Sequence, residues 1–66
     1  MRDWLRTIRR MKGLSEKAVA DAAGIAQPFY HRIETGQNNP SVRTAKALGR
    51  ILGFDWTLFY ETGKVS

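Results

Sequence analysis

The chain has 66 residues, no cysteine and one histidine, and its 11 lysines and arginines outnumber 6 aspartates and glutamates to give a formal net charge of +5. A chain this short builds one domain, residues 1–66, that buries only about 60% of the surface its unfolded form exposes. A disulfide framework and a thiolate metal site are excluded, and one histidine does not make a ligand set, so no metal is expected. Met1-Arg2-Asp3 leads straight into an amphipathic pattern with no apolar run long enough for a signal peptide or a bilayer span, which makes the cytoplasm the expected compartment. The positive balance fits a polyanion partner, because each neutralised phosphate releases condensed counterions.

The first helix is predicted from Asp3 to Met11 or Lys12, with Asp3 as its cap, Trp4, Leu5 and Ile8 on one face, and Gly13 as a left-handed stop. Its other face carries Arg2, Arg6, Arg10 and Lys12, either a solvated face or a phosphate clamp. Ser15 can cap a second helix in which Val19, Ala20 and Ala23 recur at helical spacing and form a small, flat inner face. Gly24 then sits where a tight helix-to-helix turn needs φ > 0, and Ile25 follows as an apolar plug. In the third helix Tyr30 and Ile33 face inward, which leaves Gln27, Pro28, Phe29, His31, Arg32 and Thr35 on outer or flanking positions.

After Gly36 the run Gln37-Asn38-Asn39-Pro40-Ser41 is polar and turn-rich, and Ser41 is placed to cap a fourth helix. Val42, Ala45, Leu48 and Leu52 supply its inner stripe, Lys46 and Arg50 point elsewhere, and Gly53 ends it. Arg43 lies in the first turn, where a cation opposes the helix dipole, so a phosphate contact explains it better than helix stability does. Asp55 can cap a short fifth helix whose Phe54, Trp56 and Phe59 close the bottom of the core. Leu58, with Ile51 and Tyr60, is expected to form an exposed apolar patch and a dimer surface. Residues Glu61 to Ser66 show no periodicity and are expected to fray.

Leu5, Ile8, Arg9, Gly13-Leu14-Ser15, Val19-Ala20, Gly24-Ile25, Arg32-Ile33-Glu34, Gly36, Asn39-Pro40-Ser41, Leu48 and Leu52-Gly53 occur in an order that resembles the phage-repressor helix-turn-helix domain. This is the family of lambda repressor, Cro and the XRE-like bacterial regulators, and the resemblance runs from about Trp4 to Tyr60. It implies an all-α, compact five-helix domain with the helix-turn-helix at helices 2 and 3, and a recognition helix from Gln27 to Thr35 that enters the major groove. It further implies that Arg9 pairs with Glu34 as a structural tie between helix 1 and the recognition helix. The loop after Gly36 and the start of the fourth helix would meet the sugar-phosphate backbone, where free amides and the dipole favour an anion.

On this reading the residues that contact bases are Gln27, Pro28, Phe29, His31 and Arg32. A carboxamide offers a donor and an acceptor to adenine, an aromatic ring can lie along a thymine methyl, and a guanidinium fits guanine O6/N7 or a phosphate. Pro28 suits the first helical turn, which does not need its amide. Phosphate contacts fall to Lys17, Thr35, Gln37, Asn38, Asn39 and Arg43. The chain departs from its relatives at Glu16, where a glutamine is usual, at Ala26, where a small polar cap is usual, and at Gln37 and Asn38, where basic residues are frequent.

The function implied is a sequence-specific transcriptional regulator bound to double-stranded DNA, most simply a dimeric repressor on a pseudo-palindromic operator. The alternative is a protein-interaction adaptor or antitoxin-like partner that uses the surface from Trp56 to Tyr60. An enzyme is not expected, because Glu16, Asp21, Glu34, Asp55 and His31 show no nucleophile-base spacing and no glycine loop cradles a phosphate. No cofactor or small-molecule ligand is expected.

Overall fold

The structure, a computed structural model, describes residues 1–60. Four α-helices, α1 (Asp3–Met11), α2 (Glu16–Ala23), α3 (Gln27–Thr35) and α4 (Val42–Leu52), precede a 3-10 helix at Trp56–Tyr60, and no strand occurs among the described residues. The fold is therefore all-α, with the fifth helix reduced to a 3-10 turn. No helix among these residues is long and apolar enough to cross a membrane. The fraying expected for residues 61–66 lies outside the described residues.

Helix boundaries follow from local chemistry. The Ser15 hydroxyl accepts from the Ala18 amide at 3.0 Å and the Ser41 hydroxyl from the Thr44 amide at 3.2 Å, caps worth about 1 kcal/mol each. Ala26 begins α3 with no side-chain cap. Asp3 is not a cap: it is the first helical residue, Arg2 takes the cap position without a side-chain bond, and the Asp3 carboxylate accepts from Arg6 at 3.4 Å. The cause lies outside the helix, because the Arg2 amide donates to the Glu34 carbonyl at 2.8 Å and so fixes the start of α1 against α3.

Gly24, at φ 72°, makes the α2–α3 turn, and the next amide, Ile25, returns to the Ala20 carbonyl at 3.0 Å. A side chain at Gly24 would be strained by its left-handed backbone, not by crowding, since nothing lies near its missing Cβ. The turn sets α3 across α2, and α2 packs on α4 while α3 packs on α1.

Every helix contributes to one core of Leu5, Val19, Ala20, Tyr30, Ile33, Ala45, Leu48, Leu52 and Phe59. Full burial of a Leu, Ile or Val side chain is worth about 1.5–3 kcal/mol. Val42 does not belong to it: this first residue of α4 is 50% exposed, and the buried stripe is Ala45, Leu48, Gly49 and Leu52, spaced i, i+3, i+4, i+7. At the bottom, only Phe59 of the three expected aromatics is buried, while Phe54 and Trp56 are half-buried. Trp4 joins them, with ring centroids 5.3 Å from Phe54 and 5.2 Å from Phe59 in edge-to-face contact. Asp55 starts the 3-10 helix as expected, accepting from the Thr57 amide at 3.0 Å and its hydroxyl at 2.8 Å, and these bonds hold its carboxyl below the usual range.

Gly49 permits the close return of the chain over α4. A Cβ there would lie 2.7 Å from the Phe54 carbonyl oxygen, while the Gly49 carbonyl accepts from the Gly53 and Phe54 amides at 2.8 and 3.0 Å.

Candidate nucleic-acid interface

A helix can present a reading face only if its other face is held. Arg9 of α1 donates from Nε to Glu34 Oε2 at 2.7 Å and from Nη2 to Oε1 at 3.2 Å, and a third bond runs from Arg9 Nη1 to the Leu14 carbonyl at 2.9 Å. The buried Tyr30 hydroxyl donates to the same Glu34 carboxylate at 2.7 Å. Burial works against the charge on Glu34, but the bonds from Arg9 and Tyr30 outweigh it and keep the carboxyl below its ordinary value. The bond to Glu34 raises Arg9, and burial, with that carboxylate beside it, pushes the Tyr30 hydroxyl far up. Arg9, Tyr30 and Glu34 therefore form one satisfied buried unit, and the residues expected as an ion pair lie together.

Arg2 completes the anchor and is neither a solvated side chain nor a phosphate clamp. Its guanidinium donates to the carbonyls of Ile33 and Asn38 and to Asn39 Oδ1, and it lies 5.4 Å from the Phe59 ring centre. Burial lowers its basicity. The end of α3 and the following loop are thus pinned to the beginning of the chain.

With that side fixed, α3 exposes Gln27, Pro28, His31 and Arg32, whereas Phe29 is half-buried against the core. Gln27 Nε2 donates to Glu16 Oε1 at 3.4 Å, and His31 Nδ1 lies 3.1 Å from the same oxygen. Glu16 is thus engaged with two of the expected reading residues. Thr35 bonds the Arg32 carbonyl at 3.2 Å, and Lys17 pairs with Asp21 at 2.9 Å across an exposed helical turn, so neither side chain is idle in the free protein.

In the loop Gln37 and Asn39 are exposed and Asn38 is half-buried, and the Asn38 amide is spent on the Arg32 carbonyl at 3.1 Å. The Asn39 side chain is held by Arg2, which makes it part of the loop's scaffold. Arg43 is exposed at the second position of α4. It lines a groove between the α2–α3 turn and α4 together with Ile25, Lys46, Ala47 and Arg50, and none of the three cations forms an ion pair among the described residues. Of these cations the sequence points to Arg43 alone as a phosphate contact. Lys46 additionally lies 5.2 Å over the Trp56 ring.

The expected dimer patch is less open than the sequence suggested. Ile51 and Leu58 are half-buried, Ile51 packs against the core, and only Tyr60 is exposed, at 45%, with its hydroxyl donating to the Pro40 carbonyl at 3.2 Å. The aromatic cluster of Trp4, Phe54 and Phe59 draws the 3-10 helix inward and covers part of what a one-turn helix would otherwise expose.

The helix-turn-helix family model matches residues 5–59. YqaF, an HTH-type transcriptional regulator of Bacillus subtilis strain 168, is 48% identical over 61 residues, which cover 92% of this chain and 80% of that protein. The HTH-type transcriptional regulator DdrOP3 of Deinococcus deserti is 39% identical over 49 residues, 74% of this chain and 38% of its own length. An HTH-type transcriptional regulator of Haemophilus influenzae is 41% identical over 47 residues, 71% of this chain and 48% of its own. The match thus spans less than half the length of the last two. No solved structure matches the chain significantly. The chain belongs to the XRE/Cro-like helix-turn-helix family.

Proposed function

We propose that the chain is a sequence-specific DNA-binding transcriptional regulator of the cytoplasm in which residues 1–66 form one helix-turn-helix domain, and that it acts as a dimeric repressor on a pseudo-palindromic operator. The observation that carries this reading is the two-sidedness of α3: Tyr30, Ile33 and Glu34 are buried while Gln27, Pro28, His31 and Arg32 are exposed on the opposite side. In the family's docking geometry that outer face enters the major groove. Gln27 would read an adenine, Arg32 a guanine or a phosphate, and Phe29 the methyl of a thymine at its half-exposed edge.

Arg43, with Thr35 and the loop residues Gln37 to Asn39, would lie along the backbone, with Lys17 at the far edge once it releases Asp21. A net charge of +5 supports that contact. Dimerisation would use Ile51, Leu58 and Tyr60, and two α3 helices related by a dyad would reach successive major grooves about 34 Å apart. Repression then needs only occupancy of a site that polymerase must use.

Selection of bound sequences from a random duplex pool tests the reading. It predicts an inverted repeat with half-sites about one helical turn apart. Enrichment of no sequence would turn attention to a protein partner for the Trp56 to Tyr60 surface.

A further inference from the structure

Glu16 stands at the first position of α2, yet its carboxylate is committed to α3: it accepts from Gln27 Nε2 at 3.4 Å, and its two oxygens lie 3.1 and 3.2 Å from His31 Nδ1. An ionised carboxylate can only accept, so the hydrogen of the His31 ring belongs on Nδ1. This leaves Nε2, on a side chain that is 54% exposed, without a partner among the described residues. In the neutral ring Nε2 is an acceptor, and in the protonated ring it is a donor.

We propose that His31 is a specificity-determining residue whose reading atom is Nε2, that Glu16 is the positioning residue that fixes this role, and that binding duplex DNA takes up a proton at His31. The proposal rests on the reading of α3 as the face that enters the groove. Charged groups surround the ring. Glu16 of α2 is the anionic partner in contact, and Lys17 beside it is occupied by Asp21. From α1, Arg9 feels the charge of Glu16 but is bonded to Glu34, the one carboxylate of α3. Arg32, next along α3, is the one neighbouring cation without an ion pair among the described residues.

A phosphate chain brought up to this surface places more negative charge beside Glu16, and an imidazolium cancels it. As an acceptor, Nε2 suits the amino group of adenine or cytosine. As a donor it suits guanine O6/N7, thymine O4 or a phosphate oxygen. Proton uptake therefore changes what the residue reads.

The test uses the duplex enriched from the random pool and its single-base variants, with affinities measured at pH 6 and pH 8 and constant ionic strength for the wild type, His31→Gln and Glu16→Gln. His31 is the sole histidine, so no other imidazole confounds the comparison. The wild type is expected to bind about three- to tenfold tighter at pH 6, within the ceiling of tenfold per pH unit for one proton. At one half-site position the preference is expected to move toward guanine or thymine. His31→Gln loses both effects, and Glu16→Gln binds but loses the pH-dependent preference, because an amide can pair with either form of Nδ1.

Specific binding with the same affinity and preferences at both pH values, or a pH effect that survives in His31→Gln, overturns the proposal and leaves the DNA-reading function standing. Failure to bind any duplex at either pH overturns both.

Discussion

Arg9 Nε lies 2.7 Å from Glu34 Oε2, and that carboxylate also takes the Tyr30 hydroxyl at 2.7 Å, so the inner side of α3 is bolted to α1 by a buried charge pair. Glu34 is only 2% exposed. Replacing it with alanine strands the Arg9 guanidinium and the Tyr30 hydroxyl in the core, an arrangement that typically costs about 3–5 kcal/mol. Urea melts of Glu34→Ala should show a loss of this size, and a loss under 1 kcal/mol would mean that the pair is incidental.

The same carboxylate gives stability a pH dependence with a definite sign. Its folded value lies below the unfolded one, so its contribution is complete above the unfolded carboxyl's titration at about 4.3 and is lost as pH falls through the folded value. Thermal melts from pH 6 down to pH 2 should show a falling midpoint, with a shallower fall in Glu34→Gln. Equal slopes in the two proteins would place the acid sensitivity elsewhere.

Arg2→Ala should destabilise the domain far more than Arg10→Ala, although both are arginines of the same end of the chain. Arg2 bonds the Ile33 and Asn38 carbonyls and Asn39 Oδ1 and lies over Phe59, whereas Arg10 is exposed. Hydrogen bonds from a charged group are worth about 1.5–3 kcal/mol, while an isolated surface change stays within about 0.5 kcal/mol. Hydrogen exchange supplies the local readout: the Asn38 amide should lose protection in Arg2→Ala and keep it in Arg10→Ala.

Much of this arrangement is legible in the sequence, and what is not has a common physical origin. Ser15, Gly24 and Ser41 act through atoms within four residues of themselves, so their spacing reveals them. Tyr30 and Ile33 are revealed by helical period, and Glu34 by the family pattern around it. Arg2 is different, since its hydrogen-bond partners lie 31 to 37 residues away and nothing in the run Met1-Arg2-Asp3 separates it from an exposed arginine such as Arg10. Gly49 was silent for a similar reason, because only the returning Phe54 carbonyl shows why no side chain fits. Glu16 stands out in the sequence only as a departure from the glutamine usual at that position. Its pairing with Gln27 and His31 becomes visible only once α2 and α3 cross, and so does the company that Lys46 and Arg50 give Arg43.

Gly49→Ala tests the packing of α4 against the chain that follows. The added Cβ would meet a backbone oxygen at 2.7 Å, a contact that no side-chain rotation relieves. Overpacking of this kind costs about 1–3 kcal/mol, against a small gain from better helix propensity. A melt should show net destabilisation, and an unchanged or raised midpoint would contradict the observed approach.

Gln27→Ala and Arg43→Ala should weaken DNA binding in different ways. Loss of a bidentate base contact costs about 1–3 kcal/mol and relaxes preference at one half-site position, with the salt dependence retained. Loss of a phosphate contact weakens specific and scrambled duplexes alike and lowers the slope of log affinity on log salt by about 0.9 per contact. Titrations of both variants on both duplexes separate the two roles, and identical profiles would remove the distinction.

The central claim is that the outer face of α3 reads sequence on a basic scaffold, and the direct measurement is a salt titration of the wild type on its selected duplex and on a scramble of the same composition. The account predicts a preference of about 10³-fold or more at physiological salt, with affinity for both duplexes falling steeply as salt rises. Equal, weak and salt-sensitive binding to the two duplexes would contradict it, reducing the charge of the domain to a generic attraction for polyanions.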